Sequence, residues 1–226
     1  EFSFFIDNLY TIESFNKLIM KSDYYNKYKN IIPSHFFEKK NINILEFGVE
    51  NGNTTSLFIE ICENNNGFTY SIDTVDYSKL FSNSKWKFIK RRDDDYDYIG
   101  KNINDKKFDI ICLDTIHTKE HVKKILYHYY KLLNINGIFL IDGISHLPYL
   151  KLNYRDNFYS EINNNEIFDF LINLKNNHSN SIDLDFSFQG SGVARITKFK
   201  DVSLFEKKII SRKKSFKNIL RKLIVK

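Results

Sequence analysis

The stretch Asn43-Ile-Leu-Glu-Phe-Gly-Val-Glu-Asn-Gly-Asn-Thr-Thr55 is an apolar run that meets a carboxylate and then breaks at two glycines before a helical pattern begins. It reads as strand, tight turn, helix. Glu46 stands where the strand would end, and Gly48 and Gly52 supply a turn through which backbone can approach a ligand. Thr54 or Thr55 is placed to cap the helix that follows. A dinucleotide fingerprint would put a glycine at position 46, so that pyrophosphate can lie on the helix N-terminus. A carboxylate there repels pyrophosphate and favours a ligand with an ammonium or sulfonium group.

Working outward, the same scheme recurs. Phe68-Thr-Tyr-Ser-Ile-Asp73 reads as a second strand that ends on an acid, and Asp73, with Asp76 behind it, is where a ribose diol would be gripped by a carboxylate. Trp86–Lys90 is a third strand, followed by the charged loop Arg91-Arg-Asp-Asp-Asp-Tyr96. Phe108-Asp-Ile-Ile-Cys-Leu-Asp114 is nearly unbroken in its apolar character, as a central parallel strand buried on both faces should be. The spacing of Val122, Ile125, Leu126, Tyr129, Leu132 and Leu133 predicts a helix over 119–133, stopped at Asn134-Ile-Asn-Gly137. Ile138-Phe-Leu-Ile-Asp142 is again a strand with an acid at its tip.

Four strands tipped by Glu46, Asp73, Asp114 and Asp142 and alternating with helices imply an α/β fold with a doubly wound, mostly parallel sheet. Its carboxyl edge is the expected active site. A further helix is predicted over 161–176, and Ile182–Phe188 and Val193–Lys198 then alternate as strands around Gln189-Gly-Ser-Gly192. The sheet should therefore have seven strands and end in an antiparallel hairpin. Residues 1–40 read as an N-terminal helical cap, with Phe15, Leu18 and Ile19 on one stripe and a second short helix ending before Pro33. The expected division is this cap, a catalytic domain over 41–200, and a basic amphipathic C-terminal helix over 201–226. The aromatic stretch around Tyr149, Tyr154, Phe158 and Tyr159 is expected to form a loop on the substrate side.

The pattern E-x-G-x-x-x-G at Glu46, Gly48 and Gly52 resembles motif I of the class I S-adenosylmethionine-dependent methyltransferases, whose sheet is Rossmann-like. Asp114-Thr-Ile-His117 combined with Ile141-Asp142-Gly143 is similar to the macrocin O-methyltransferase-like branch, which methylates sugar hydroxyls. In that branch D-x-x-H follows the fourth strand and two consecutive acids end the fifth. The resemblance implies that Glu46, Gly48, Asn51, Gly52, Thr54 and Asp73 bind S-adenosylmethionine, with Asp93 or Asp94 at the adenine and Asp114 close to the cofactor. It implies that Asp114 and Asp142 hold Mg²⁺, whose preference is for hard carboxylate oxygens, and that His117 takes the proton. His117 is suited to a base at neutral pH. The departure is Gly143, which stands where the second acid is expected; Ser145 or His146 would have to contribute instead, and His146 is a further catalytic candidate. Leader helices in enzymes of this plan lie over the cofactor site or form a homodimer contact.

The reading is thus an O-methyltransferase acting on a sugar or glycan hydroxyl. Its alternatives are the same fold with another small-molecule acceptor, and a decayed methyltransferase-like binding module. Composition bounds the rest. Residues 204–226 hold nine Lys or Arg and one acid, Glu206, so the remaining chain is slightly acidic although the net charge is +6. That argues against a nucleic-acid-binding face. The basic tail suits an anionic membrane surface, a partner protein or an adjacent domain. Cys62 and Cys112 both fall inside apolar patterns, which predicts reduced core thiols and a cytoplasmic protein. There is no run of 18 apolar residues and no signal-peptide anatomy, so a soluble protein is expected.

Overall fold

The structure is a computed structural model that describes residues 25–104, 106–145, 158–207 and 216–224. Its centre is a seven-stranded sheet of β1 (Asn43–Phe47), β2 (Phe68–Asp73), β3 (Trp86–Lys90), β4 (Phe108–Leu113), β5 (Leu133–Asp142), β6 (Ile182–Ser187) and β7 (Val193–Lys198). The strand order is β3-β2-β1-β4-β5-β7-β6. The first five strands run parallel, and β7 pairs antiparallel with both β5 and β6. This is the expected sheet, with its terminal hairpin.

The long apolar runs of the central strands are explained by burial on both faces. Leu45, Phe47, Ile111, Leu113, Phe139 and Ile141 face one core cluster, while Ile44, Ile110, Cys112, Ile138 and Leu140 face the other. On the first face lie α3 (Tyr96–Ile103), α4 (Lys119–Tyr129) and α5 (Phe158–Asn177), through residues such as Ile99, Leu126 and Leu171. The second face is covered by helical residues 25–31, here α1, and by α2 (Asn53–Asn64), through Tyr28, Ile31, Leu57 and Phe58. Both cysteines are free and buried in this second cluster. Among the described residues no helix is long and apolar enough to cross a membrane.

Four local expectations are corrected. The helix predicted over 119–133 ends at Tyr129 and passes through a 3₁₀ turn (Tyr130–Leu132) into β5, which begins at Leu133. Asn134–Gly137 is therefore the start of a strand, with Asn136 at φ +62° and a register shift opposite Phe108–Ile110. The cap of α2 is Gly52, with no side-chain hydrogen bond; Thr55 turns its hydroxyl to Glu46 instead. The C-terminal helix does not start at 201: residues 201–207 are coil, and α6 spans Phe216–Ile224. Glu206 fixes that coil to the body through Lys119, Lys123 and Asn173. The helix read around Phe15, and Tyr149 and Tyr154 of the aromatic stretch, lie outside the described residues, whereas Phe158 and Tyr159, expected in the same loop, open α5.

At the amino edge of the sheet, the fully buried Lys198 donates to the carbonyls of Tyr130 (3.0 Å) and Leu133 (2.9 Å) and pairs with Asp201 (2.6 Å). It thereby satisfies the carbonyls freed where α4 gives way to β5. Lys198→Met removes this donor while keeping most of the apolar stem. Denaturant unfolding is expected to show a loss of about 2 kcal/mol, the cost of leaving buried carbonyls unsatisfied.

Candidate functional site

The chain reverses its direction of sheet growth between β1 and β4, so a crevice opens beyond their carboxyl ends. Gly48 sits at that crevice with φ +92°, and a Cβ there would lie 1.9 Å from the carbonyl oxygen of Asp114. Only glycine permits this approach. The Gly48 amide also donates to Ile72 O at 2.9 Å, so the tips of β1, β2 and β4 are drawn together. Asp73 completes the cradle, because its Oδ2 accepts from Val49 N (2.8 Å) and its Oδ1 from Val75 N (2.9 Å). Thr74 Oγ1 also reaches Oδ1 at 3.5 Å, Oδ2 keeps a lone pair for a ligand, and two backbone donors hold the carboxylate in one orientation.

Two adjoining cavities occupy the crevice. One, of about 370 Å³, is lined by Gly48–Asn51, Asn53, Thr54, Asp73, Asp114, Thr115 and His117. The other, of about 380 Å³, shares Gly48, Asp73, Asp114 and Thr115 and adds Arg91, Arg92 and Asp93. The first has three carboxylates, Glu50, Asp73 and Asp114, and no lysine or arginine in its wall among the described residues. Such a wall repels phosphate and attracts a cationic ligand. A larger cavity of about 620 Å³ is lined by α4, α5 and Glu206. The crevice is the better candidate because backbone cradle, imidazole and carboxylates converge there.

Glu46 lies behind the cradle. It is fully buried, its Oε2 accepts from Thr55 Oγ1 (2.8 Å) and Ser71 Oγ (2.5 Å), and its Oε1 has no partner among the described residues. Burial pushes its carboxyl up to about 8, against the lowering effect of those two hydroxyls. Neither cavity has Glu46 in its wall.

Asp93 does line the second cavity, but its Oδ2 is taken by Thr115 Oγ1 (2.6 Å) and His121 Nε2 (2.7 Å). Asp94 faces outward, where hydrogen bonds from Arg92 and Lys124 hold its carboxyl well below the ordinary range. Of the two acids read at the adenine position, Asp93 is the one at the crevice. His121, in the first turn of α4 and four residues after His117, escaped the sequence reading; its signal is a second histidine close behind the first.

Beyond Asp114 the catalytic candidates converge. His117 Nε2 lies 3.2 Å from Asp114 Oδ1, and the two side chains are 36% and 29% exposed. Desolvation acts to lower the imidazole pKa, but the hydrogen bond and charge of Asp114, with the charge of Asp142, outweigh it and raise the value. Burial and the neighbouring Asp142 raise that of Asp114. His117 also packs over Gly143, which has φ +74°: a Cβ there would come within 2.8 Å of the imidazole ring. His146 lies outside the described residues, and Ser145 is buried with its backbone bonded to Ser191 and Asn164.

The sequence reading missed the group that completes the site. Lys27, on α1 and only 3% exposed, forms an ion pair with Asp142 Oδ2 and donates to Ser191 Oγ at 2.7 Å. Tyr28 OH donates to the same Asp142 oxygen (2.7 Å) and reaches Asp114 Oδ2 (3.4 Å). Ser191 Oγ donates to Asp142 Oδ1 at 2.6 Å. Burial and the two carboxylates push the Tyr28 phenol well above its ordinary value, so it stays a donor at neutral pH. A signal did exist, since Lys27 interrupts a helical stripe with Tyr28, Ile31 and Ile32, all buried.

Asp114, His117 and Asp142 each offer a ligand atom within 4.8 Å of the others, a spacing one ion could bridge. Yet both oxygens of Asp142 already accept from the ammonium, the phenol and the serine hydroxyl. A divalent cation would compete with this ammonium for Asp142, and among the described residues one carboxylate and one imidazole would be left as ligands. Mg²⁺ prefers an octahedral set of oxygens. The residues present do not fit it.

Comparison with known proteins finds methyltransferases. A family model described as a methyltransferase domain matches residues 45–144. No curated protein matches the chain. Among solved structures it is similar to the MycE methyltransferase of the mycinamycin biosynthetic pathway, solved with Mg, SAH and mycinamycin VI. The identity is 18% over 74% of this chain and 48% of that one, with a TM-score of 0.58. It is also similar to a provisionally assigned caffeoyl-CoA O-methyltransferase from Staphylococcus aureus (20% identity, 70% and 76% covered, TM-score 0.54). A provisionally assigned rRNA methylase from Clostridium thermocellum gives 17% identity, 81% and 97% coverage and a TM-score of 0.53. At these identities the structures show a shared fold, and the chain spans about half the length of MycE. That fold is the Rossmann-like fold of the class I S-adenosylmethionine-dependent methyltransferases.

The burial of Glu46 has a measurable consequence. Its folded pKa is raised to about 8 from an unfolded value near 4.5. The stability this gives is full below the unfolded value and is lost as pH rises towards 8. Between pH 5 and pH 8 the wild type should therefore lose up to about 3 kcal/mol relative to Glu46→Gln, as read from denaturant unfolding at each pH.

Proposed function

We propose that this chain is an S-adenosylmethionine-dependent O-methyltransferase whose acceptor is a hydroxyl of a sugar or glycan. The observation that carries the reading is the acidic cradle of Gly48, Asp73 and Asp114 set directly against the Asp114–His117 pair. The cofactor fits on chemical grounds. Its amino-acid end matches the wall from Gly48 to Thr54, which has bare backbone at Gly48, and its ribose hydroxyls match the carboxylate of Asp73. Bound there, it supplies an electrophilic methyl group on sulfur.

The chain's own residues do the rest. A sugar hydroxyl is a poor nucleophile until its proton has somewhere to go. His117 is placed to take that proton as the new O–C bond forms, and Asp114 stabilises the imidazolium that results. Holding the acceptor against the cradle supplies the remainder of the rate through proximity and orientation. The acceptor class rests on the likeness of Asp114–His117 and Asp142 to the sugar-methylating branch. The slightly acidic body disfavours RNA, which a basic stripe beside the crevice would be needed to hold.

S-adenosylhomocysteine at saturating concentration is expected to raise the melting temperature by about 5 °C or more. Asp73→Ala should weaken its binding about 10- to 100-fold by calorimetry, the loss of a charged hydrogen-bonding partner; unchanged affinity would sink the ribose assignment. With sugar acceptors, His117→Ala should lower turnover about 100-fold while leaving cofactor affinity nearly unchanged. Equal turnover in wild type and variant would remove His117 from the mechanism.

A further inference from the structure

We infer that Lys27 is the resident cation of this site and that methyl transfer here needs no divalent metal. The role assigned to Lys27 rests on the methyltransferase reading; the exclusion of metal is a statement about binding and is measured without turnover. The observation is one of position. The Lys27 ammonium lies in contact with Asp142 Oδ2, one of the three groups, with Asp114 and His117, whose ligand atoms lie within 4.8 Å of one another.

Three features make this arrangement self-consistent. First, the ammonium is closed off from water and satisfied by the Asp142 carboxylate and the Ser191 hydroxyl, so it cannot swing out to solvent without leaving a buried carboxylate behind. Separating such a pair is costly, because whichever charge remains buried is uncompensated. Secondly, both oxygens of Asp142 already accept, Oδ2 from Lys27 and Tyr28 and Oδ1 from Ser191. Thirdly, the position after Asp142 is Gly143, and the His117 ring rests on it so closely that any Cβ would meet the ring at 2.8 Å. A second acid is missing where a metal would want one, and the imidazole has taken the space.

The consequence for the reaction is a division of labour between the carboxylates. Asp142 is paired with Lys27, so Asp114 alone faces His117 and the crevice. Tyr28 spans the two acids and transmits the position of α1 to Asp114. Lys27 is thus a positioning residue: it acts through Asp142 and Tyr28 and does not line the cavity walls.

The test is a titration of the full chain with Mn²⁺, read by the electron paramagnetic resonance signal of the free aqua ion, with and without S-adenosylhomocysteine. Wild type is expected to leave the signal undiminished. Lys27→Ala removes the ammonium and frees Asp142, and should take up about one equivalent of Mn²⁺, at least tenfold tighter than wild type; the double variant with Asp142→Asn should lose it. Stoichiometric Mn²⁺ binding by the wild type that disappears in Asp142→Asn would overturn the inference. So would a cooperatively melting Lys27→Ala that binds no Mn²⁺. If Lys27→Ala does not fold, the wild-type titration decides, supported by turnover that is unchanged by EDTA or added Mg²⁺. A missing thermal shift with S-adenosylhomocysteine would count against the methyltransferase reading and leave the Mn²⁺ result standing.

Discussion

Four carboxyl groups carried to one edge of a parallel sheet repel one another, and the site is organised by how each is compensated. Like charges a few ångströms apart in a partly dry crevice cost several kcal/mol unless something answers them. Each acid here is answered differently. Glu46 is buried with two hydroxyls and keeps its proton to about pH 8. Asp73 is held by two backbone amides, Asp114 by an imidazole, and Asp142 by an ammonium. The differences assign the roles. The carboxylates answered by backbone and by imidazole face the crevice, and those answered by a buried proton or a buried lysine stand behind it.

Much of this was legible in the sequence because strands buried on both faces write themselves as apolar runs, and the acid that ends each run marks the carboxyl edge. The order of elements, the parallel sheet and the terminal hairpin follow from that pattern, as do Asp73, Asp114 and His117 as neighbours. The errors came where local signals compete with long-range pairing. Asn134–Gly137 carries the chemistry of a helix stop, but β4 recruits it into a strand through a shifted register. Thr55 looks like a cap because threonines often are, yet Glu46 needs a donor more than the helix does. The coil at 201–207 leads into the basic run that reads as an amphipathic helix, but Glu206 is tied to α4 and α5.

Lys27 was hidden for a different reason. In sequence it stands among lysines and tyrosines and reads as a solvated face, and its partner is 115 positions away. No short motif joins a helix before the sheet to the tip of its fifth strand. What placed it is tertiary: α1 packs Tyr28 and Ile31 over β1, β4 and β5, and the residue one position before Tyr28 is thereby carried to Asp142.

The contact between Gly143 and His117 also constrains how this protein can change over generations. A carboxylate restored at position 143 would strain a backbone at φ +74° and push into the imidazole, and it would place a third acid beside a lysine that already answers one. The replacement becomes useful only if residues 27 and 117 are altered with it. Metal-assisted and lysine-assisted versions of this edge are therefore separated by a valley of poor intermediates. Lineages on either side would keep residues 27, 117 and 143 as a co-varying set.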